Sequence, residues 1–177
     1  MINKTMFMSK RIFNNVFEVE PNMVVISISA EDEFPSLLDR PFADILWLNF
    51  HDVSEESLGI SIGTVPDVSP TQKLIFDGKV LPDFNDAIAI IEFLNKYNLQ
   101  DFNYTLVCHC EGGVSRSAAV VKFVSLMYKA RIAGLDDDTS LANPRLLRLL
   151  NKAWLKEEVE IGELKDLYFH NNEHPNP

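Results

Sequence analysis

The sequence predicts an α/β fold, with a mainly parallel central sheet flanked by helices. Its 177 residues are 46% hydrophobic and 24% charged, which is close to the average of a globular domain. Short, β-rich apolar runs alternate along the chain with segments in which apolar residues recur at helical spacing. One run leads through a glycine-containing turn into a segment that is apolar nearly all round, as expected of a helix buried against a sheet.

The predicted strands are short apolar runs bounded by turn formers, and they cover residues 23–28, 43–50, 73–76, 79–81 and 104–108. Asp77-Gly78 separates the third run from the fourth, and this dipeptide is typical of a tight β-hairpin turn. The run 104–108 precedes Gly112 and Gly113, so a loop is expected at its carboxyl end.

The predicted helices begin at recognisable signals. Asp83 is a plausible N-cap of a helix that runs to about Tyr97. The next helix begins near Arg116, with Gly134 as its predicted stop. Two further segments follow: a helix begun by Asn143-Pro144, which places Leu147, Leu150 and Trp154 on one face, and a weaker one with Ile161, Leu164 and Tyr168.

These elements predict a single domain over residues 1–170. Residues 53–82 are rich in Ser, Gly, Pro and Asp, and we interpret them as a decorated loop insertion within that domain. Residues 171–177 are polar and contain proline, so they form a predicted flexible tail.

Charge and cysteine content restrict the function. Twenty-six acidic and 16 basic residues give a formal charge of −10, which disfavours binding to nucleic acid or to anionic membranes. The two cysteines, Cys108 and Cys110, are too close for an unstrained disulfide, so a reducing compartment is expected. No apolar run reaches membrane-spanning length, and the first eleven residues lack the features of a signal peptide. We therefore expect a soluble, cytoplasmic protein.

The Cys110 loop, residues 110–117, combines three features that suit phosphate chemistry. It follows a strand and precedes a helix, whose unpaired amide groups and partial positive charge attract anions. Gly112 and Gly113 permit a left-handed backbone, so successive N–H groups can point inward. Arg116 supplies a planar fork of donors for two phosphate oxygens. Cys110 lies in the same positive field, where a nucleophilic thiolate is expected at neutral pH.

The pattern His109-Cys110-x-x-Gly113-x-x-Arg116-Ser117 resembles the signature of the cysteine-dependent protein tyrosine phosphatase superfamily. The short chain and the loop's ending are most similar to its dual-specificity-type branch. Five specified positions would match by chance in about one of 20,000 chains of this length. The resemblance is close over residues 105–118 and loose over residues 44–150.

The resemblance implies a phosphatase-like fold, a phosphate-binding loop between a strand and a buried helix, and a role for each loop residue. Cys110 would be the nucleophile, and Arg116 would bind phosphate and stabilise the transition state. Ser117 would hydrogen-bond the thiolate, and His109 would orient the loop without transferring protons. Backbone amides would contact the phosphate oxygens from Glu111, Gly112, Gly113, Val114, Ser115 and Arg116. No metal or other cofactor is implied.

The family also uses an aspartate on a separate loop as general acid. Asp52 is our first candidate because it follows the strand 43–50, after which the family places its acid loop. Asp77 has the sequence separation usual in the short phosphatases, but the hairpin turn has its own structural need for it. Asp67 is a third candidate.

The predicted function is hydrolysis of phosphate monoesters through a phosphocysteine intermediate. Phosphotyrosine on proteins is the expected substrate, with phosphoserine or phosphothreonine also considered and inorganic phosphate as product. Glu111 and Val114, the variable loop residues, add no positive charge, which disfavours an RNA 5′-phosphate or a phosphoinositide. The remaining alternative is a pseudophosphatase, that is, an interaction module that binds phosphate without turnover.

Overall fold

The computed structural model describes residues 1–30, 40–68, 73–134 and 137–156. Within these ranges a five-stranded, all-parallel sheet contains β1 (Ile2–Ser9), β2 (Met23–Ser29), β3 (Asp44–Asn49), β6 (Tyr104–Cys110) and β7 (Arg131–Ile132). The strand order in this sheet is β3-β2-β6-β1-β7. The predicted α/β class and parallel sheet are therefore confirmed.

The central strand, β6, is buried along all of its length except its first residue. It pairs with β1 on one side and β2 on the other, so that Cys110 lies opposite Ser9 and His109 opposite Ser27. Successive side chains point to opposite faces of the sheet. Cys108 and Cys110 join the larger core cluster, whereas Val107 joins a smaller cluster on the other face.

Strand β1 and the short helix α1 (Lys10–Asn15) that follows it are not predicted from the sequence. Polar residues at positions 3–5 weaken the local strand pattern. The strand forms because it pairs with β6 and β7, which are distant in sequence, and such pairing leaves little local signal. The Ser9 hydroxyl accepts a hydrogen bond from the Ile12 N–H and caps α1.

The predicted hairpin is confirmed as β4 (Ile75–Phe76) and β5 (Lys79–Val80), although both strands are short. Asp77 and Gly78 have φ values of 49° and 71°, and positive φ at both central residues fits a type I′ turn. The turn therefore requires residues of this type at these positions.

Helix α2 (Phe84–Asn98) begins, as predicted, after Asp83. The Asp83 carboxylate accepts from the backbone N–H of Asp86, and the Asp86 carboxylate accepts from that of Asp83, which completes a capping box. Its apolar face packs into the larger core cluster through Ala87, Ile90, Ile91 and Leu94.

Helix α3 (Arg116–Met127) is nearly encased by the core, as predicted, but Gly134 does not end it. The C-cap is Tyr128, and Lys129 has the left-handed φ of 57° that often follows a helix end. Gly134 instead follows β7, with a φ of 125°. Lys129 occupies the position after the helix end that is usually glycine, so no glycine marks the end of α3 in the sequence.

Helix α4 covers 144–156 of the described residues and begins at the predicted Asn143-Pro144 signal. Asn143 caps it, because its Oδ1 accepts from the Leu146 N–H at 2.9 Å. Leu147 and Trp154 are partly buried and Leu150 is fully buried, all against the larger core cluster. The weaker helical stretch from Ile161 and the tail 171–177 lie outside the described residues.

The two sides of the sheet are covered unequally. The larger core cluster contains residues of α2, α3 and α4, together with one face of the strands. The smaller cluster on the opposite face includes Phe13 of α1, Met6 and Val25. No helix in the described residues combines the length and apolar character needed to cross a lipid bilayer.

The described part of the 53–82 insertion packs around its own small core of Val53, Val65 and Leu81. It is attached to α4 by ion pairs that join Glu55 to Arg145 and Arg148, and Asp67 to Arg148 and Lys152. Residues 69–72 of the insertion lie outside the described part.

Candidate active site

The Cys110 loop starts at the carboxyl end of the central strand and closes on the first residue of α3 at Arg116. Gly113 has a φ of 72°, whereas Gly112 does not have a positive φ. A Cβ atom on Gly113 would lie 2.2 Å from the Ser9 backbone nitrogen and 2.3 Å from the Met8 carbonyl carbon. Glycine is therefore required at 113 by both conformation and space, and the loop packs directly on the end of β1.

The Cys110 and Ser117 side chains meet beneath the loop. Their Sγ and Oγ atoms are 3.2 Å apart, and both residues are buried, Cys110 at 1% exposure. A hydroxyl at this distance can donate a hydrogen bond to a thiolate, and charge on the sulfur is thereby stabilised. Cys110 is the last residue of β6 and Ser117 lies in the first turn of α3, so the strand and the helix bring these two atoms together.

Arg116 is 4% exposed, and its guanidinium reaches Phe50, the residue after β3. Its Nη1 donates to the Phe50 carbonyl at 2.9 Å. This hydrogen bond restricts the orientation of a long side chain that would otherwise have many rotamers. Arg116 also ties the loop to the segment that contains Asp52.

The structure brings Asp52 to the Cys110 loop. Ser115 is the N-cap residue of α3, yet its side chain makes no capping hydrogen bond and donates to Asp52 Oδ1 at 2.7 Å. Asn143 Nδ2 donates to the same oxygen at 2.9 Å. Asp52 Oδ2 has no hydrogen bond within the described residues, and the residue is exposed.

The other two aspartate candidates are placed elsewhere. Asp77 occupies the hairpin turn and is exposed. Asp67 accepts from Arg148 at 2.8 Å and Lys152 at 2.9 Å, and its pKa is lowered although partial burial opposes that shift. A carboxylate paired with two cations is a poor proton donor near neutral pH, so Asp67 suits a structural role.

His109 faces away from Cys110, into the smaller core cluster on the α1 side. Its ring stacks on Phe13 with centroids 4.3 Å apart, and it is 1% exposed. Neither ring nitrogen has a hydrogen-bond partner among the residues that the structure describes. Burial, with a smaller contribution from the Lys10 charge, lowers the pKa of His109 to about 4. The imidazole is therefore neutral at physiological pH and supports the loop through packing.

Cys108 is fully buried in the larger core cluster. Burial raises the pKa of the Cys108 thiol well above its ordinary value, and the neighbouring Cys110 adds to the shift. Cys108 is thus expected to be unreactive. Among the described residues, no three His, Cys, Asp or Glu side chains cluster in a way that could hold a metal ion.

Two residues beside the loop are not predicted from the sequence to belong to the site. The sequence indicates Asn143 only as a helix signal, yet its side chain donates to Asp52 and its backbone N–H donates to the Ser115 carbonyl at 3.1 Å. Lys10 lies 3.6 Å from the Glu111 carboxylate and brings a positive charge beside the loop. The Asn-Pro dipeptide pointed to Asn143 only as a cap, and no local signal pointed to Lys10.

Among known proteins, no family model, no curated protein and no solved structure matches this chain.

Proposed function

We propose that the protein is a metal-independent phosphatase that hydrolyses phosphate monoesters through a phosphocysteine at Cys110. The observation that supports this most is the meeting of two separate segments at one loop. Cys110, Arg116 and Ser117 come from the strand–loop–helix unit, and Asp52 reaches it through its hydrogen bond to Ser115. A nucleophile, an anion-binding guanidinium and a carboxyl group are the parts that this reaction needs.

In the proposed first step, the Cys110 thiolate attacks phosphorus and forms a sulfur–phosphorus bond as the phosphorus–oxygen bond to the leaving group breaks. The protonated Asp52 carboxyl donates its proton to that oxygen, so an alcohol or phenol departs. The uncapped amides at the start of α3 and the Arg116 guanidinium stabilise the equatorial phosphate oxygens.

In the second step, water attacks the phosphocysteine and breaks its sulfur–phosphorus bond. Asp52, now a carboxylate, accepts the water proton, and inorganic phosphate leaves. The Ser117 hydroxyl, 3.2 Å from the sulfur, donates a hydrogen bond to the departing thiolate. The cycle returns Asp52 to its protonated form and Cys110 to its thiolate.

The proposed substrate is phosphotyrosine on a protein, with phosphoserine or phosphothreonine as further substrates. Glu111 is exposed and paired with Lys10, and Val114 is exposed and apolar, so the outer loop residues add no net positive charge. These outer residues therefore add little electrostatic attraction for a highly anionic substrate such as an RNA 5′-phosphate or a phosphoinositide. The cytoplasm, as a reducing compartment, would preserve the thiol.

The first test is turnover of phosphotyrosine and of a generic aryl phosphate by the purified chain. Cys110→Ser is expected to abolish release of the phenol, because a serine hydroxyl in this site is a much weaker nucleophile than a thiolate. Wild-type protein that binds a phosphotyrosine peptide without releasing phosphate would instead indicate the binding module. Equal turnover by wild type and Cys110→Ser would reject the proposal.

The second test identifies the acid through the leaving group. Asp52→Asn is expected to lower kcat on phosphotyrosine by roughly 10²–10⁴-fold, because a tyrosyl oxygen needs a proton to depart. The loss should shrink markedly on a phosphate ester of a strongly acidic phenol, and the pH profile should lose its basic limb. Asp77→Asn is the matched control and should show neither effect. The reverse pattern would make the hairpin the acid loop.

A further inference from the structure

The start of α4 contacts the Asp52 segment through two buried side chains. Asn143 is 2% exposed, and its Nδ2 donates to Asp52 Oδ1 at 2.9 Å and to the Val53 carbonyl at 3.2 Å. Its Oδ1 is occupied by the Leu146 N–H, which fixes the amide orientation. Because its backbone N–H also donates to the Ser115 carbonyl, one residue joins the Cys110 loop to the Asp52 segment.

Arg145 makes the second connection. Its side chain has no exposed area, and its guanidinium pairs with Glu55, which is itself buried. The same group donates to the Pro66 and Pro82 carbonyls, both at 2.9 Å. All three partners belong to the 53–82 insertion, so Arg145 holds both its beginning and its end against α4. A shift of the insertion would leave a buried charge unpaired, which is costly.

We propose that Asn143 and Arg145 are positioning residues for Asp52. This inference rests on the proposed function, in which Asp52 is the general acid. Asn143 and Ser115 both donate to Oδ1, so a proton on the carboxyl group is directed to Oδ2, the oxygen without a partner among the described residues. Arg145 keeps the segment that follows Asp52 from moving away. Together they set which oxygen carries the proton and how far it lies from the Cys110 loop.

The sharpest variant is Asn143→Ser. Serine is as good an N-cap as asparagine, so α4 keeps its cap, but the amide donor to Asp52 is lost. We expect kcat on phosphotyrosine to fall about 10- to 100-fold, as misplacement of a catalytic group does. On an ester of a strongly acidic phenol the loss should be less than about threefold, and the basic limb of the pH profile should weaken. Alkylation of Cys110, and its protection by phosphate, should not change.

Asn95→Ser is a matched control. Asn95 also uses its amide side chain in a partly buried hydrogen bond, from the Tyr128 hydroxyl at 2.7 Å, but this bond joins α2 to the end of α3. The variant should lose a similar polar contact while keeping the wild-type ratio of the two substrate rates. A changed ratio in Asn95→Ser would show that the readout reports general loosening of the fold, which would overturn the inference.

Arg145→Met tests the second residue, with folding followed by circular dichroism. A selective loss on phosphotyrosine is expected, as with Asn143→Ser. If Arg145→Met does not fold, Asn143→Ser decides the inference. Equal losses on both substrates, or no loss, in Asn143→Ser would overturn the positioning role while wild-type turnover left the proposed function intact. Absence of turnover in wild type itself would reject both.

Discussion

The buried neutral imidazole of His109 makes the fold sensitive to mild acid. The ordinary pKa of 6.5 falls to about 4 in the folded chain because the ring is buried and, to a smaller extent, because Lys10 is near. Below pH 6.5 the unfolded chain therefore binds a proton that the folded chain does not. The stability that the neutral imidazole contributes is fully present above the pKa of the unfolded chain, 6.5, and is lost as the pH falls towards the pKa of the folded chain, about 4.

The size of the loss follows from the two pKa values. A difference of about 2.5 units corresponds to about 3 kcal/mol once the pH is below both values. Between pH 7 and pH 5 the same linkage predicts that His109 alone lowers the free energy of unfolding by about 2 kcal/mol. The lowered pKa values of Asp44 and Asp67 act at lower pH, since both lie below 3.8.

The measurement is urea denaturation of wild type and His109→Phe at several pH values between pH 7 and pH 5. Phenylalanine keeps an aromatic ring against Phe13 and does not titrate. All other groups titrate in both proteins, so the difference between the two curves isolates His109. Wild type should lose about 2 kcal/mol more than the variant over this range. Parallel curves would refute the argument that burial keeps the imidazole neutral.

Three further predictions concern the Cys110 loop. Gly113→Ala should lower the free energy of unfolding by more than about 1–2 kcal/mol, because a Cβ would strain the left-handed backbone and collide with the backbone of β1. Gly112→Ala should be tolerated in the same denaturation assay, because the nearest atom to its Cβ would lie 3.7 Å away. Arg116→Lys should lose most turnover although the charge is kept, because an ammonium group cannot bind two phosphate oxygens with a planar fork of donors. Activity within about threefold of wild type would contradict this bidentate contact. Iodoacetamide near pH 6 should alkylate Cys110 ahead of Cys108, with protection by phosphate, and equal rates by mass spectrometry would count against an activated thiol.

How much of the fold the sequence predicts depends on how local its signals are. The strand–loop–helix unit around Cys110, the Asp77-Gly78 hairpin and the capped helix α2 all depend on residues within a few positions of each other. Each was predicted, although α3 ends at Met127 and not at the predicted stop, Gly134. Strand β1 was missed because its stability comes from β6 and β7, about 100 residues or more away.

The same distinction applies to the candidate site. The loop residues are identifiable because one backbone turn fixes them at short spacing. Asn143 and Arg145 are not, because their partners lie about 60 to 90 residues earlier in the chain. A buried arginine is also uncommon, so the residue type alone does not point to a buried role for Arg145. Asn143 and Arg145 reach these partners only because α4 packs against the insertion.

Strand order, and not sequence spacing, predicts that Asp52 lies beside the Cys110 loop. Asp52 precedes Cys110 by 58 residues, yet the insertion between them leaves and returns at one point. The His51 N–H donates to the Val80 carbonyl at 2.8 Å, and the Val80 N–H donates to His51 Nδ1 at 3.0 Å. Because His51 and Val80 are bonded together, the chain returns to the end of β3 near the close of the 53–82 segment. Asp52 therefore stays beside the Cys110 loop, where Arg116 and Asn143 hold its segment.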